Sequence, residues 1–144
     1  MDTTGNFYTL KGYQANAPAE LTPAMEDYLE MIYRLLQHKD VVRIGELAGN
    51  LHVKPSSTSK MIQLLKAAGY VNSEKYGYIC LTEKGKEEGE YLLYRHLVLQ
   101  RFLCMLNHTQ DELEQVEKIE HFFNRTTIKN LHALTKRLEK EEGP

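Results

Sequence analysis

The chain has no tryptophan, only two cysteines and only four prolines in its 144 residues. Cys80 and Cys104 are too few for a disulfide framework, and neither has a second cysteine at metal-knuckle spacing. That usage predicts a reducing, cytoplasmic setting. No apolar run approaches the roughly 18 residues that a membrane helix needs, so no membrane partner is expected. The start, Met1-Asp2-Thr3-Thr4, lacks the basic and apolar blocks of a secretory leader. Acid is missing from one long stretch: Leu47 to Ser73 holds no Asp or Glu, while Lys54, Lys60 and Lys66 are present. From Asp111 to Glu120 the balance reverses, with five acids against Lys118 alone. The net charge of −2 therefore hides one segment suited to a polyanion and another suited to cations.

What is present reads as globular. Hydrophobic residues make up 42% and charged residues 26%. The length fits one domain, or two small ones sharing a core, and leaves no room for a large catalytic domain beside a regulatory one. Residues 1–20, with Gly5, Gly12 and Pro18, show no helical period and read as an arm. Thr22-Pro23 supplies a hydroxyl cap followed by proline at the first helical position. Met25, Tyr28, Leu29, Ile32, Tyr33 and Leu36 then recur at helical spacing. A short extended Val41-Val42-Arg43 precedes a helix over Ile44 to Leu51. A third helix starts near Pro55, turns Met61, Leu64, Leu65 and Ala68 inward and closes at Gly69.

Tyr70 to Leu81, β-rich around Gly77, predicts a small hairpin. Thr82 caps a long helix to about Asn107 with Leu92, Leu93, Leu99, Phe102, Leu103 and Leu106 as its stripe. Thr109-Gln110-Asp111-Glu112 has the form of a capping box. Asn124 caps a last helix carrying Ile128, Leu131, Leu134 and Leu138 inside. The expected fold is mostly α with a small β-hairpin. A winged helix-turn-helix over 21–82 would be followed by a helical metal-binding and dimerisation domain over 83–144.

The order helix, helix, turn, helix, hairpin is that of a winged helix-turn-helix. On the third helix, Ser56, Ser57, Thr58, Ser59, Lys60 and Gln63 are expected outward, with Lys54 and Pro55 at its start. Hydroxyls and lysines reach phosphates, small side chains permit close approach in the major groove, and an amide can read a base edge. Lys75 and Tyr76 would lie on the wing, against the DNA backbone. The bland alternative is a solvated polar helix beside a structural hairpin, and His52 in the turn reads as structural or solvent-exposed.

Three places suit a metal ion. Asp27 and Glu30, three apart, share one helix face, though with Arg34 one turn on these residues alone read more readily as a surface ion pair. His96 lies on an apolar stripe, where a lone histidine is more often a hydrogen-bonded core residue. Glu117, Glu120 and His121 converge at i, i+3, i+4 beside Val116 and Ile119. Two carboxylates about 4 Å apart repel by roughly 4 kcal/mol at an effective dielectric near 20, so beside apolar residues they call for a cation. A charged, solvated face remains the alternative.

Taken together, four segments resemble the diphtheria-toxin-repressor family of metal-dependent regulators, and most of all its manganese-responsive branch. They are Met25-Glu26-Asp27-Tyr28-Leu29-Glu30, Lys54-Pro55-Ser56-Ser57, Tyr94-Arg95-His96 and Val116-Glu117-Lys118-Ile119-Glu120-His121, within a similarity spanning about Leu21 to Glu139. The resemblance implies metal held by Asp27, Glu30, His96, Glu117, Glu120 and His121. It also implies a homodimer, a palindromic double-stranded DNA operator and control of metal-uptake genes.

Four carboxylates and two neutral imidazoles carry a formal −4, which two divalent ions would balance. Iron-type members of the resembled family carry Met and Cys where this chain has Asp27 and Glu117. Hard oxygen ligands there suit Mn²⁺, with Fe²⁺ or another divalent ion as the alternative. The similarity does not extend to the C-terminal SH3-like domain of longer relatives. No small organic substrate and no enzyme activity are expected. A carboxylate-bridged dimetal enzyme is the reading from another class, but helical di-iron sites use Glu-x-x-His on two helices, and this chain offers neither that pair nor a second cluster.

Overall fold

The computed structural model describes residues 5, 9–16, 21–74 and 77–142. Helix α1 (Leu10–Asn16) falls inside the segment expected to be an arm without helical period, so that expectation is corrected. It is a single short piece, with Gly12 N–H donating to the Thr9 hydroxyl.

Helix α2 (Pro23–Leu35) starts as its sequence dictates, with the Thr22 hydroxyl accepting from Met25 N–H at 3.1 Å and proline at the first position. Strand β1 (Val42–Arg43) leads into α3 (Ile44–Leu51), and α4 (Pro55–Ala67) follows. The left-handed Gly69, at φ +87°, then turns the chain into β2 (Val71–Ser73) and β3 (Tyr78–Leu81). The hairpin gains a third strand: β1 pairs antiparallel with β3, Val42 opposite Ile79, giving the order β1-β3-β2. The expected wing residues Lys75 and Tyr76 lie outside the described residues.

Helix α5 (Glu83–Asn107) is capped by the Thr82 hydroxyl, which accepts from Gly85 N–H at 3.0 Å. Helix α6 (Leu113–Ile119) passes into a 3₁₀ turn (Glu120–Phe122), and α7 (Arg125–Glu141) is capped by Asn124. The capping box ahead of α6 does not form as expected. The Thr109 hydroxyl donates to the Glu112 carboxylate at 2.7 Å, side chain to side chain, and the helix starts one residue beyond Glu112.

Two apolar cores form. Leu29, Ile32, Leu47, Ile62, Leu65 and Ile79 centre the first, and Leu99, Val116 and Ile128 the second. Leu92 packs in the first and Leu99 in the second, so α5 runs as one rod through both halves. Three expected inward leucines are exposed instead: Leu64, Leu106 and Leu134. On α4 the buried face runs through Thr58, Ile62 and Leu65, and Leu64 is one residue, about 100°, off that line.

Two glycines set how closely α5 lies on the first half. A Cβ at Gly85 would stand 2.0 Å from the Tyr70 carbonyl oxygen, and one at Gly89 would stand 2.7 Å from the Tyr33 Cβ. Neither position has room for a methyl group without moving backbone or a packed ring. Gly85→Ala is expected to cost about 3 kcal/mol or more, at the upper end of overpacking effects, and urea unfolding monitored by circular dichroism measures it.

Candidate metal centre and nucleic-acid interface

Three elements converge between the two cores: α2, α5 and the 3₁₀ turn. Asp27 and Glu30 come from α2, His96 from α5, and Glu120 and His121 from the turn. The 3₁₀ turn carries Glu120 and His121 directly beyond α6. Glu120 is 2% exposed, and Glu117, one turn earlier on α6, is exposed.

Among the described residues, two trios bring one potential ligand atom each within 4.8 Å of one another: Asp27–Glu120–His121 and Glu30–His96–Glu120. Glu120 belongs to both. Glu117 belongs to neither, but with Asp27, Glu30 and Glu120 it lines a cavity of about 270 Å³ whose lining also includes Asn50 and His52, at the end of α3. His52 itself closes α3 in the left-handed conformation, at φ 56°.

The electrostatics suit a cation. His96 Nδ1 lies 3.4 Å from Glu120 Oε1 and 3.8 Å from Glu30 Oε2. Yet His96 Nδ1 and Glu120 Oε1 are buried without a hydrogen-bond partner. Buried polar atoms left unpaired are costly, and a divalent ion would satisfy both. Burial and, next, repulsion from Glu120 hold the Glu30 carboxyl above its ordinary range, against the opposite pull of Arg34 and His96. Burial pulls the His121 imidazolium down, but its hydrogen bonds to Asp27 and Glu26 outweigh that and push it up to about 9. Its Nε2 is 3.0 Å from Asp27 Oδ1. Arg34 donates to Glu30 at 2.6 Å, so the ion pair readable from the sequence coexists with the cluster.

Two participants have no role in the sequence reading. Glu26 accepts from Arg95 through both carboxylate oxygens at 3.3 Å, and its Oε1 lies 2.8 Å from His121 Nδ1. Arg95 is 3% exposed. The available signal is position: Glu26 precedes Asp27 and sits one turn before Glu30, and Arg95 precedes His96.

On α4, Ser56, Ser57, Ser59, Lys60 and Gln63 are exposed as expected, as are Lys54 and Pro55. Thr58 is the correction. It is fully buried, and its hydroxyl donates to the Lys54 carbonyl at 3.2 Å. Its outward placement fails because it begins the Thr58–Ile62–Leu65 face that packs on the core. Arg43, absent from the expected interface, is exposed on β1, donating to the hydroxyl of its cross-strand neighbour Tyr78 at 2.6 Å.

Comparison with known proteins bears on both regions. The family model described as iron dependent repressor, N-terminal DNA binding domain, matches residues 20–79. The one described as iron dependent repressor, metal binding and dimerisation domain, matches residues 82–142. The HTH-type transcriptional regulator MntR of Bacillus velezensis is 39% identical over 123 residues, covering 85% of this chain and 87% of that protein. Its namesake in Bacillus subtilis is 38% identical over the same length, with the same coverage of both chains. The solved structure of the manganese regulator SloR superposes with a TM-score of 0.70 at 27% identity, over 81% of this chain. The present chain spans only 55% of that solved chain.

Proposed function

The chain belongs to the iron dependent repressor family, and from that premise we propose that it is a homodimer that represses metal-uptake genes from a palindromic operator when loaded with Mn²⁺. A metal-dependent transcriptional repressor is what the family membership and the MntR relatives establish. The remainder is our reading: the metal, its two ions per subunit, the ligands, the operator symmetry, the domain boundary at 82/83 and a cytoplasmic location. No catalytic step is assigned to any residue. Among the described residues no helix is long and apolar enough to cross a membrane.

The observation that carries the reading is Glu120, buried, shared by both ligand trios and left with an unpaired oxygen. We assign Asp27, Glu30, His96, Glu117, Glu120 and His121 as the ligands, with Glu117 closing the open side of the cavity. A bound divalent cation supplies positive charge, in place of the His121 proton and the Arg34 guanidinium, to carboxylates that otherwise repel. Asp27 and Glu30 sit on the DNA-binding half, the other four on α5 and beyond. Loading therefore favours one arrangement of the two halves, and in a dimer that sets the spacing of two α4 helices. The cavity wall at Asn50 and His52 lies immediately before α4, so the site abuts the element that reads DNA. Exposed Leu97, Leu106 and Leu134 in the C-terminal half offer apolar surface to a second copy.

At the DNA, Lys54 and the exposed serines at the start of α4 suit phosphates, and Gln63 suits a base edge. Thr58 serves there as a packing residue. The test uses duplexes selected from a random pool with Mn²⁺ present. Two-fold-symmetric sites are expected. Lys60→Ala should weaken binding across all of them and reduce the slope of log affinity against log salt by about one. Unchanged affinity and slope would remove Lys60 from the interface, and selected sites without two-fold symmetry would remove the palindrome.

A further inference from the structure

The contact of Glu26 with His121 goes beyond the ligand set and rests on the reading that His121 is a ligand. A carboxylate offers only acceptors, so the 2.8 Å contact between Glu26 Oε1 and His121 Nδ1 needs the hydrogen on Nδ1. The 3.4 Å approach of Arg95 Nη2 to the same nitrogen is longer, and a protonated Nδ1 cannot accept from it. The other ring nitrogen, Nε2, faces Asp27 at 3.0 Å, on the side where Glu120 completes the trio. Both Glu26 oxygens are engaged by Arg95, whose buried guanidinium balances the carboxylate charge.

We propose that Glu26 is a positioning residue of the metal site: held by buried Arg95, its carboxylate takes the Nδ1 hydrogen of His121 and leaves Nε2 as the nitrogen offered to the ion. The arrangement joins three elements, Glu26 on α2, Arg95 on α5 and His121 on the 3₁₀ turn. It fixes the imidazole in both tautomer and rotation, two requirements that metal-bound histidines commonly meet through such an outer carboxylate. Arg95 has a distinct part. By occupying both Glu26 oxygens it keeps that carboxylate out of the ligand set, although Glu26 adjoins Asp27 in sequence.

The test uses the full chain with ring-¹⁵N-labelled histidine and ¹¹³Cd²⁺, a diamagnetic ion that permits one-bond cadmium–nitrogen coupling to be seen. Wild type should show His121 coupled through Nε2 while Nδ1 keeps its hydrogen. In parallel, Mn²⁺ affinity is measured by competition with a fluorescent chelator. Glu26→Ala should bind Mn²⁺ about 10–100-fold more weakly. Glu26→Gln, whose amide oxygen still accepts the Nδ1 hydrogen, should recover most of that loss and keep the Nε2 coupling.

Coupling through Nδ1 in wild type would overturn the proposal. So would a Glu26→Ala affinity equal to wild type. A Glu26→Gln variant as weak as Glu26→Ala would overturn it too, by making Glu26 itself a ligand. Should Glu26→Ala fail to fold with Arg95 unpaired, the wild-type coupling and the Glu26→Gln affinity decide the matter. If wild type binds ions and His121 shows no coupling, the ligand assignment fails first and takes the proposal with it.

Discussion

Glu120→Gln is expected to abolish the gain in operator affinity on adding Mn²⁺, while the metal-free protein becomes slightly more stable. The two signs come from one feature. Glu120 is the single residue common to both ligand trios, so removing its charge weakens each. Loss of a ligand should lower Mn²⁺ affinity by about 100-fold or more, since even an outer partner costs 10–100-fold. In the metal-free protein the same carboxylate is buried, has one unpaired oxygen and raises the Glu30 carboxyl by repulsion. Replacing it by a neutral amide of equal size removes that repulsion. A gain on the order of 1 kcal/mol in metal-free stability is the expected size of relieving one such buried group. Thermal unfolding in chelator checks the second sign and DNA-binding titration the first. A Glu120→Gln protein that is destabilised without metal and still activated by Mn²⁺ would remove Glu120 from the centre of the site.

The second large effect concerns which ion activates. Asp27 is about half exposed and Glu117 is exposed, and both line the cavity and supply hard oxygen. Mn²⁺ makes no strong geometric demand and accepts carboxylate and imidazole together. Zn²⁺ prefers four ligands and so is expected to bind tightly yet activate poorly. Cd²⁺, of similar size to Mn²⁺, should activate well. Replacing Asp27 with Met and Glu117 with Cys introduces two softer sulfur donors and should move full activation from Mn²⁺ to Fe²⁺ or Co²⁺. Operator affinity against free-ion concentration, anaerobic for iron, reads this out. If the double variant keeps the wild-type order of ions, these two positions do not set selectivity.

What could be read from the chain without coordinates was mostly local. The Thr22, Thr82 and Asn124 caps depend on a hydroxyl or amide three residues from the N–H it meets, and each is found where the sequence places it. The exposed serines of α4 and the left-handed Gly69 are equally local. The misses come from longer range. The extended Val41-Val42-Arg43 is legible, but its pairing with β3 as the third strand of the sheet is not. Thr58 and Leu64 exchange sides because the core decides which arc of α4 is buried, and a serine-rich start blurs that arc in the sequence. The pairing of Glu26 with Arg95 joins positions 69 apart, which no spacing rule reaches. For the metal cluster, the i, i+3, i+4 spacing groups Glu117, Glu120 and His121; Glu120 and His121 share a trio, and Glu117 lines the same cavity as Glu120 without entering either trio.

The central claim is that an ion at the Asp27–Glu30–His96–Glu120–His121 cluster switches operator binding on, and fluorescence anisotropy of a labelled operator with and without Mn²⁺ tests it most directly. Affinity should rise on adding Mn²⁺ by about 5–150-fold, the usual span of coupling between two sites. It should fall back on adding chelator, with the circular dichroism spectrum unchanged because both cores are apolar and independent of the ion. Equal operator affinity in chelator and in saturating Mn²⁺, Fe²⁺ or any other divalent ion would contradict it.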